Sequence, residues 1–165
     1  MPEALTTARL HLRPLRIEDA PALHRFFSDP AAMAYFDTAH TDMAQTERWV
    51  AGTLAMPADT CREFALVENG EVIGKAGIWQ APELGFFLHR DRWGQGLMYE
   101  ALTALIPHLF ALLDLPAIRA DVDPRNAASL SLLRNLGFAE THRATRTMQI
   151  AGEWCDSVYL TLPRP

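Results

Sequence analysis

The sequence predicts one mixed α/β domain spanning residues 1–165, antiparallel early and carrying a βαβ unit later. Three observations carry that expectation. Asn69-Gly70 lies between two apolar runs, a strong hairpin signal. An apolar run from Leu84 to Leu88 leads into Gly94 and Gly96 and then into an apolar helix. A second helix opens at Asp123-Pro124-Arg125-Asn126 and closes at Gly137, the residue type that ends helices in the left-handed conformation. The predicted order is β-α-α-β-β-β-α-β-α-β-β.

The elements follow in turn. Leu10 to Arg16 alternates as a strand, with Pro14 arguing for an edge or a bulge. Asp19 stands where a helix can start, Leu23, Phe26 and Phe27 recur at helical spacing, and Asp29-Pro30 ends it. Thr41-Asp42 followed by Gln45 reads as a second capped start, with a helix to about Met56. Phe64–Val67, Val72–Trp79 and Glu83–His89 are strands. The next helix runs from about Leu97 to Leu113, with Pro107 expected to kink it. Ala117–Val122 is a strand, and Phe138–Ile150 and Glu153–Leu162 form a closing hairpin around Ala151-Gly152.

Composition narrows the function. The chain is 49% apolar and 21% charged, ordinary for a globular domain, and its net charge of −5 argues against a nucleic-acid partner. No apolar run reaches the length of a membrane span and no signal-peptide core stands at the N-terminus, so the expectation is a cytoplasmic protein without a membrane partner. Cys61 and Cys155 are isolated thiols, fitting a reducing compartment. The histidines lack metal-ligand spacing, so no metal is expected.

The glycine turn carries the chemistry. Glycine permits close backbone approach and positive φ, and a helix start offers unpaired N–H groups at a positive dipole end. Strand, glycine turn and helix together make a socket for a phosphate or pyrophosphate. Tyr99 occupies the place of the third glycine of a dinucleotide fingerprint, and the Gly-Lys-Ser/Thr of a Walker loop is absent. Downstream, Asn126 and Ser129 begin a helix on the same end of the sheet; each fits ordinary capping as well as contact with an elongated ligand.

With these pieces in order, the chain resembles the GNAT superfamily of N-acetyltransferases, and within it the Rim-type branch that includes ribosomal-protein N-terminal acetyltransferases. The resemblance rests on Arg9 to Leu15 with Asp19, Glu83 to Leu88, Trp93-Gly94-Gln95-Gly96-Leu97-Met98 with Glu100-Ala101, and Asn126, Ser129 and Leu136-Gly137-Phe138. It implies a V-shaped splay between the fourth and fifth predicted strands, holding acetyl-CoA. Backbone groups of Phe86, Phe87 and Leu88 would bind the pantetheine arm, and amides from Gly94 through Gln95, Gly96 and Leu97 to Met98 would cradle the pyrophosphate. Asn126 would meet the pantetheine arm with Ser129 nearby, and Arg92 would add charge at the phosphates. Trp93 is a loop variant associated with the Rim branch. Leu133 stands where many relatives carry a tyrosine that protonates the leaving thiolate.

The implied reaction is direct transfer of an acetyl group to a primary amine, on a peptide N-terminus or a small molecule. The amine must lose a proton first, which calls for a base or an ordered water. Glu83 is the leading base. Tyr35 and Asp37, with His40, sit in the loop expected to border the acceptor, and Ser131 and Tyr159 are the weaker candidates for an acid. Exposed strand edges leave a homodimer open. Two other readings stand beside this one: a non-catalytic acyl-CoA-binding regulatory module, and a nucleotide-cofactor oxidoreductase, which Tyr99 disfavours.

Overall fold

The structure, a computed structural model, describes residues 3–165. Its strands are β1 (Leu5–Thr6), β2 (His11–Pro14), β3 (Arg62–Glu68), β4 (Glu71–Gln80), β5 (Glu83–Leu88), β6 (Ala117–Val122), β7 (Ala139–Ile150) and β8 (Glu153–Pro163). They form one sheet in the spatial order β1-β2-β3-β4-β5-β6-β8-β7. The helices are α1 (Ala20–Phe27), α2 (Met43–Leu54), α3 (Leu97–Leu112) and α4 (Ala127–Asn135). Among the described residues every pairing is antiparallel except β5 with β6.

Two core clusters sit against the sheet, and strand alternation assigns residues to each. Phe64 and Leu66 of β3 join α3 and α4 through Leu102, Leu105, Leu109 and Leu133, whereas Ala65 between them joins α1 and α2 through Phe26, Phe27 and Val50. Both predicted hairpins form. Asn69 and Gly70 have φ of +50° and +83°, and Ala151 and Gly152 have +50° and +81°, the paired left-handed residues that a two-residue hairpin demands.

Two details depart from the sequence expectation. The two-residue strand β1 pairs with β2 and carries too short a pattern to be read beforehand. Asp19 does not cap α1. Its carboxylate accepts the backbone N–H of Arg16 at 2.8 Å and two bonds from the Arg13 guanidinium at 2.7 and 2.9 Å, pinning a 3₁₀ turn (Ile17–Asp19) to β2.

The feature that positions the site lies between β5 and β6. Their one pair of facing residues, among those described, is Glu83 with Arg119, and the Arg119 N–H donates to Pro82 O at 3.0 Å. Beyond Glu83 the strands diverge, while β6 keeps a six-residue register with β8. The predicted splay between the fourth and fifth strands is present here; β1 shifts the count by one.

Candidate active site

Two clefts flank the splay. The first, about 670 Å³, is walled by the outer half of β5, the glycine turn with the start of α3, the start of α4, and part of the α1–α2 loop. The second, about 810 Å³, lies between α2, the ends of β4 and β5, and the faces of β6, β7 and β8. Tyr35 and Phe36 line both.

Strand β5 offers the splay only half of its backbone. The His89 N–H donates to Ile73 O at 2.8 Å, and the register opposes Phe87 to Lys75 and Gly85 to Gly77. Hydrogen-bonded pairs alternate along an antiparallel ladder, so Gly85 and Phe87 turn their N–H and C=O groups to β4. Phe86 and Leu88 present theirs to the splay. This corrects the expectation for Phe87: its backbone serves the sheet, and its ring stacks on Phe26 at 3.8 Å in the α1–α2 core. Leu88 O is also taken, since Trp93 Nε1 donates to it at 2.9 Å. The free groups are therefore both of Phe86 and the Leu88 N–H.

The turn after β5 is held from outside and open within. Gly94 and Gly96 both have φ of +74°, and a Cβ on Gly94 would meet no heavy atom within 4 Å. Gly96 occupies the N-cap of α3 and has no side chain to cap it, so the N–H groups of Leu97, Met98 and Tyr99 stand free of helical partners. Arg9 donates to Gln95 O at 2.8 Å, and Glu100 accepts from Thr7 Oγ1 at 2.6 Å and from Arg9 Nε at 2.7 Å. These bonds hold the Glu100 carboxyl below its ordinary range, the Thr7 hydroxyl contributing most. Leu97 and Met98 bury their side chains and leave only their backbone to the cleft.

Arg92 lines the first cleft but is engaged elsewhere: its Nε donates to Glu68 at 2.7 Å, with Glu71 and Asp91 each 3.6 Å away. The expected phosphate contact from this residue is thus not preformed. Asn126 caps α4, its Oδ1 accepting from Ser129 N at 3.2 Å, and also faces the cleft. Capping uses the oxygen and leaves the Nδ2 group for a ligand.

The second cleft is built from side chains. Glu83 and Asp121 stand on the two arms of the splay. Desolvation raises the Glu83 carboxyl above its ordinary range against the pull of Arg119, and the Asp121 charge raises it further. Desolvation also raises Asp121, opposed by Ser157 and reinforced by Asp123. Asp121 escaped the sequence reading because one acidic residue on an alternating strand carries no signal. Asp37 lines this cleft, with Oδ1 accepting the Thr38 N–H at 2.7 Å. His40 does not line either cleft; it stacks on Phe27 at 4.6 Å and bonds Thr46. Leu133 is fully buried, Ser131 is outside both clefts, and Tyr159 lines the second.

Two further contacts shape the cleft. Lys75, buried beneath it, donates to Glu63 at 2.9 Å and lies 5.5 Å from the Trp49 ring and 5.7 Å from the Phe87 ring. The α1–α2 loop bridges the arms: Arg125 lies 5.1 Å over the Tyr35 ring, and Thr38 Oγ1 accepts from Ala151 N at 2.9 Å.

Comparison with known proteins matches residues 9–139 to the acetyltransferase (GNAT) domain. The chain belongs to the GNAT acetyltransferase family. An N-acetyltransferase of Bacillus licheniformis, p20, is 36% identical over 146 residues, covering 82% of each chain. The [ribosomal protein uS5]-alanine N-acetyltransferase of Escherichia coli is 35% identical over 105 residues, 59% of this chain and 54% of that one. Among solved structures, the ribosomal L7/L12 α-N-protein acetyltransferase RimL in complex with coenzyme A superposes with a TM-score of 0.87, at 21% identity and 98% coverage of both chains. The GNAT fold is the one described above, and this GNAT protein is an N-acetyltransferase that draws its acetyl group from acetyl-CoA.

Proposed function

We propose that the first cleft binds acetyl-CoA and the second a primary amine, with a polypeptide N-terminus as the leading acceptor and the cytoplasm as the place of action. The observation that carries this reading is the splay, which puts free strand amides and an open glycine turn in one cleft and two raised carboxylates in the adjoining one. The cradle suits a pyrophosphate: consecutive unpaired N–H groups at a helix start bind an anion without any cationic side chain. Phe86 and Leu88 hold the pantetheine arm by strand addition, and Asn126 Nδ2 meets it from the opposite arm.

Bound acetyl-CoA supplies an activated acyl carbon as a thioester. The chain's own residues do the rest. Glu83, with Asp121 beside it, takes the proton from the incoming ammonium through water; a carboxyl raised above its usual range is a better base than an ordinary one. The Phe86 N–H, the free strand amide nearer Glu83, donates to the acetyl oxygen as negative charge develops there. Alignment of two substrates across one splay supplies much of the rate.

The acceptor reading draws on the ribosomal-protein acetyltransferases among the relatives. A small-molecule acceptor is the second reading, supported by a 27% identical relative covering 92% of both chains, the L-methionine sulfoximine/L-methionine sulfone acetyltransferase of Pseudomonas aeruginosa. Calorimetric titration with acetyl-CoA, with NAD and ATP as controls, tests the first cleft. A peptide and amine screen then tests the second. Selective acetyl-CoA binding with turnover is expected; binding without turnover on any amine would instead support a regulatory acyl-CoA-binding module.

A further inference from the structure

We propose that the second cleft selects an amine carried on an apolar segment: an N-terminal amine followed within two residues by apolar side chains, and free of nearby carboxylates. This rests on the transferase reading above and names the acceptor class of that same site.

Three of the large apolar side chains left exposed carry the inference. Met56, Trp79 and Met148 are 37%, 48% and 36% exposed, and all three line this cleft. They come from the segment after α2, from β4 and from β7, which lie on different parts of the fold. No local sequence pattern gathers them, and exposed apolar groups converging on a cleft mark a contact surface. Their polar neighbours define the other half of the ligand. Glu83 and Asp121 draw an ammonium inward, and Asp37, Asp156 and the Arg125-paired Asp123 also line the cleft. Lys75 does not offset them, because Glu63 takes its charge at 2.9 Å; Arg48 is the exposed cation on the α2 wall.

Trp79 sets the distance between the two halves. It precedes Gln80, which pairs with Glu83 across the β4–β5 ladder. A Cβ on Gly85 would stand 3.2 Å from Trp79 Cδ1, so the glycine leaves room for the indole against β5. The apolar wall therefore begins one residue from the base, where the first side chains after the reacting amine must lie.

The test uses three hexapeptides identical except at positions two and three, which are Leu-Leu, Ser-Ser or Glu-Glu, each with an N-terminal alanine and saturating acetyl-CoA. The expected kcat/KM for Leu-Leu exceeds that for Ser-Ser about tenfold or more, the scale of one buried apolar contact, with Glu-Glu slowest. Trp79→Ala is expected to pull the Leu-Leu to Ser-Ser ratio toward one, mainly through KM, and Trp79→Phe to restore part of it. Acetyl-CoA affinity measured on each variant reports an intact fold. Equal rates for the three peptides, a preference for Glu-Glu, or an unchanged ratio in Trp79→Ala overturns the inference. Absence of turnover on all three also overturns it; turnover on free amines would then leave the transferase reading standing, and none on any amine would remove that as well.

Discussion

The two clefts share a splay and two loop residues but are made differently. The first is built from backbone: strand amides, a glycine turn and two helix starts, all set by short stretches of chain. The second is built from side chains delivered by α2, β4, β5, β6, β7 and β8. Backbone recognition serves a ligand that does not change, and side-chain recognition is free to vary with the acceptor, because loops and strand ends change without altering the fold. Substitutions in the first cleft should accordingly move donor affinity, and those in the second should move turnover and acceptor choice.

The largest effect is expected from removing both carboxylates. Glu83→Gln with Asp121→Asn should lower kcat by about 10²–10⁴, the range for a lost general base, with acetyl-CoA affinity retained. Steady-state kinetics beside calorimetry checks the separation; a matching loss of acetyl-CoA affinity would break it. The next effect is on stability. Lys75→Met leaves the fully buried Glu63 without its partner and should cost about 3–5 kcal/mol in urea unfolding, whereas Lys75→Met with Glu63→Leu should recover most of it. Recovery would show that the pair beneath the second cleft is not needed for folding.

Gly94→Val tests the first cleft. Its left-handed φ of +74° disfavours a β-branched residue by about 1–2 kcal/mol, and acetyl-CoA affinity should fall about tenfold or more while acceptor KM holds. Asn126→Ala should be milder: about 1 kcal/mol of stability from the lost cap, with weaker acetyl-CoA binding. Stability loss with unchanged affinity would return Asn126 to capping alone. The smallest effect is a pH shift. A base works deprotonated, so activity should rise with pH through the raised Glu83 value. Asp121→Asn removes a charge that raises it, so the acid limb of kcat/KM should move to lower pH.

What was readable in advance follows the same division. Asn69-Gly70, the Gly94 and Gly96 turn and the Asn126 to Gly137 helix are local devices, and each stands where its residues implied. Asp19 was legible as a helix-start residue but not as the partner of Arg13, because that bond depends on where β2 lies. Arg92 looked free in sequence and is paired with Glu68, 24 residues away. Asp121 had no mark at all until β6 diverged from β5.

The chain's sequence by itself determined the order of the elements that follow β1, both hairpin turns and the glycine turn before α3, because turn, cap and glycine conformations are settled within a few residues. Only the tertiary structure decided which half of the β5 backbone is free, which charges are already paired, and which side chains meet in the second cleft. Those depend on register and on long-range packing, and neighbouring residues in sequence do not encode them.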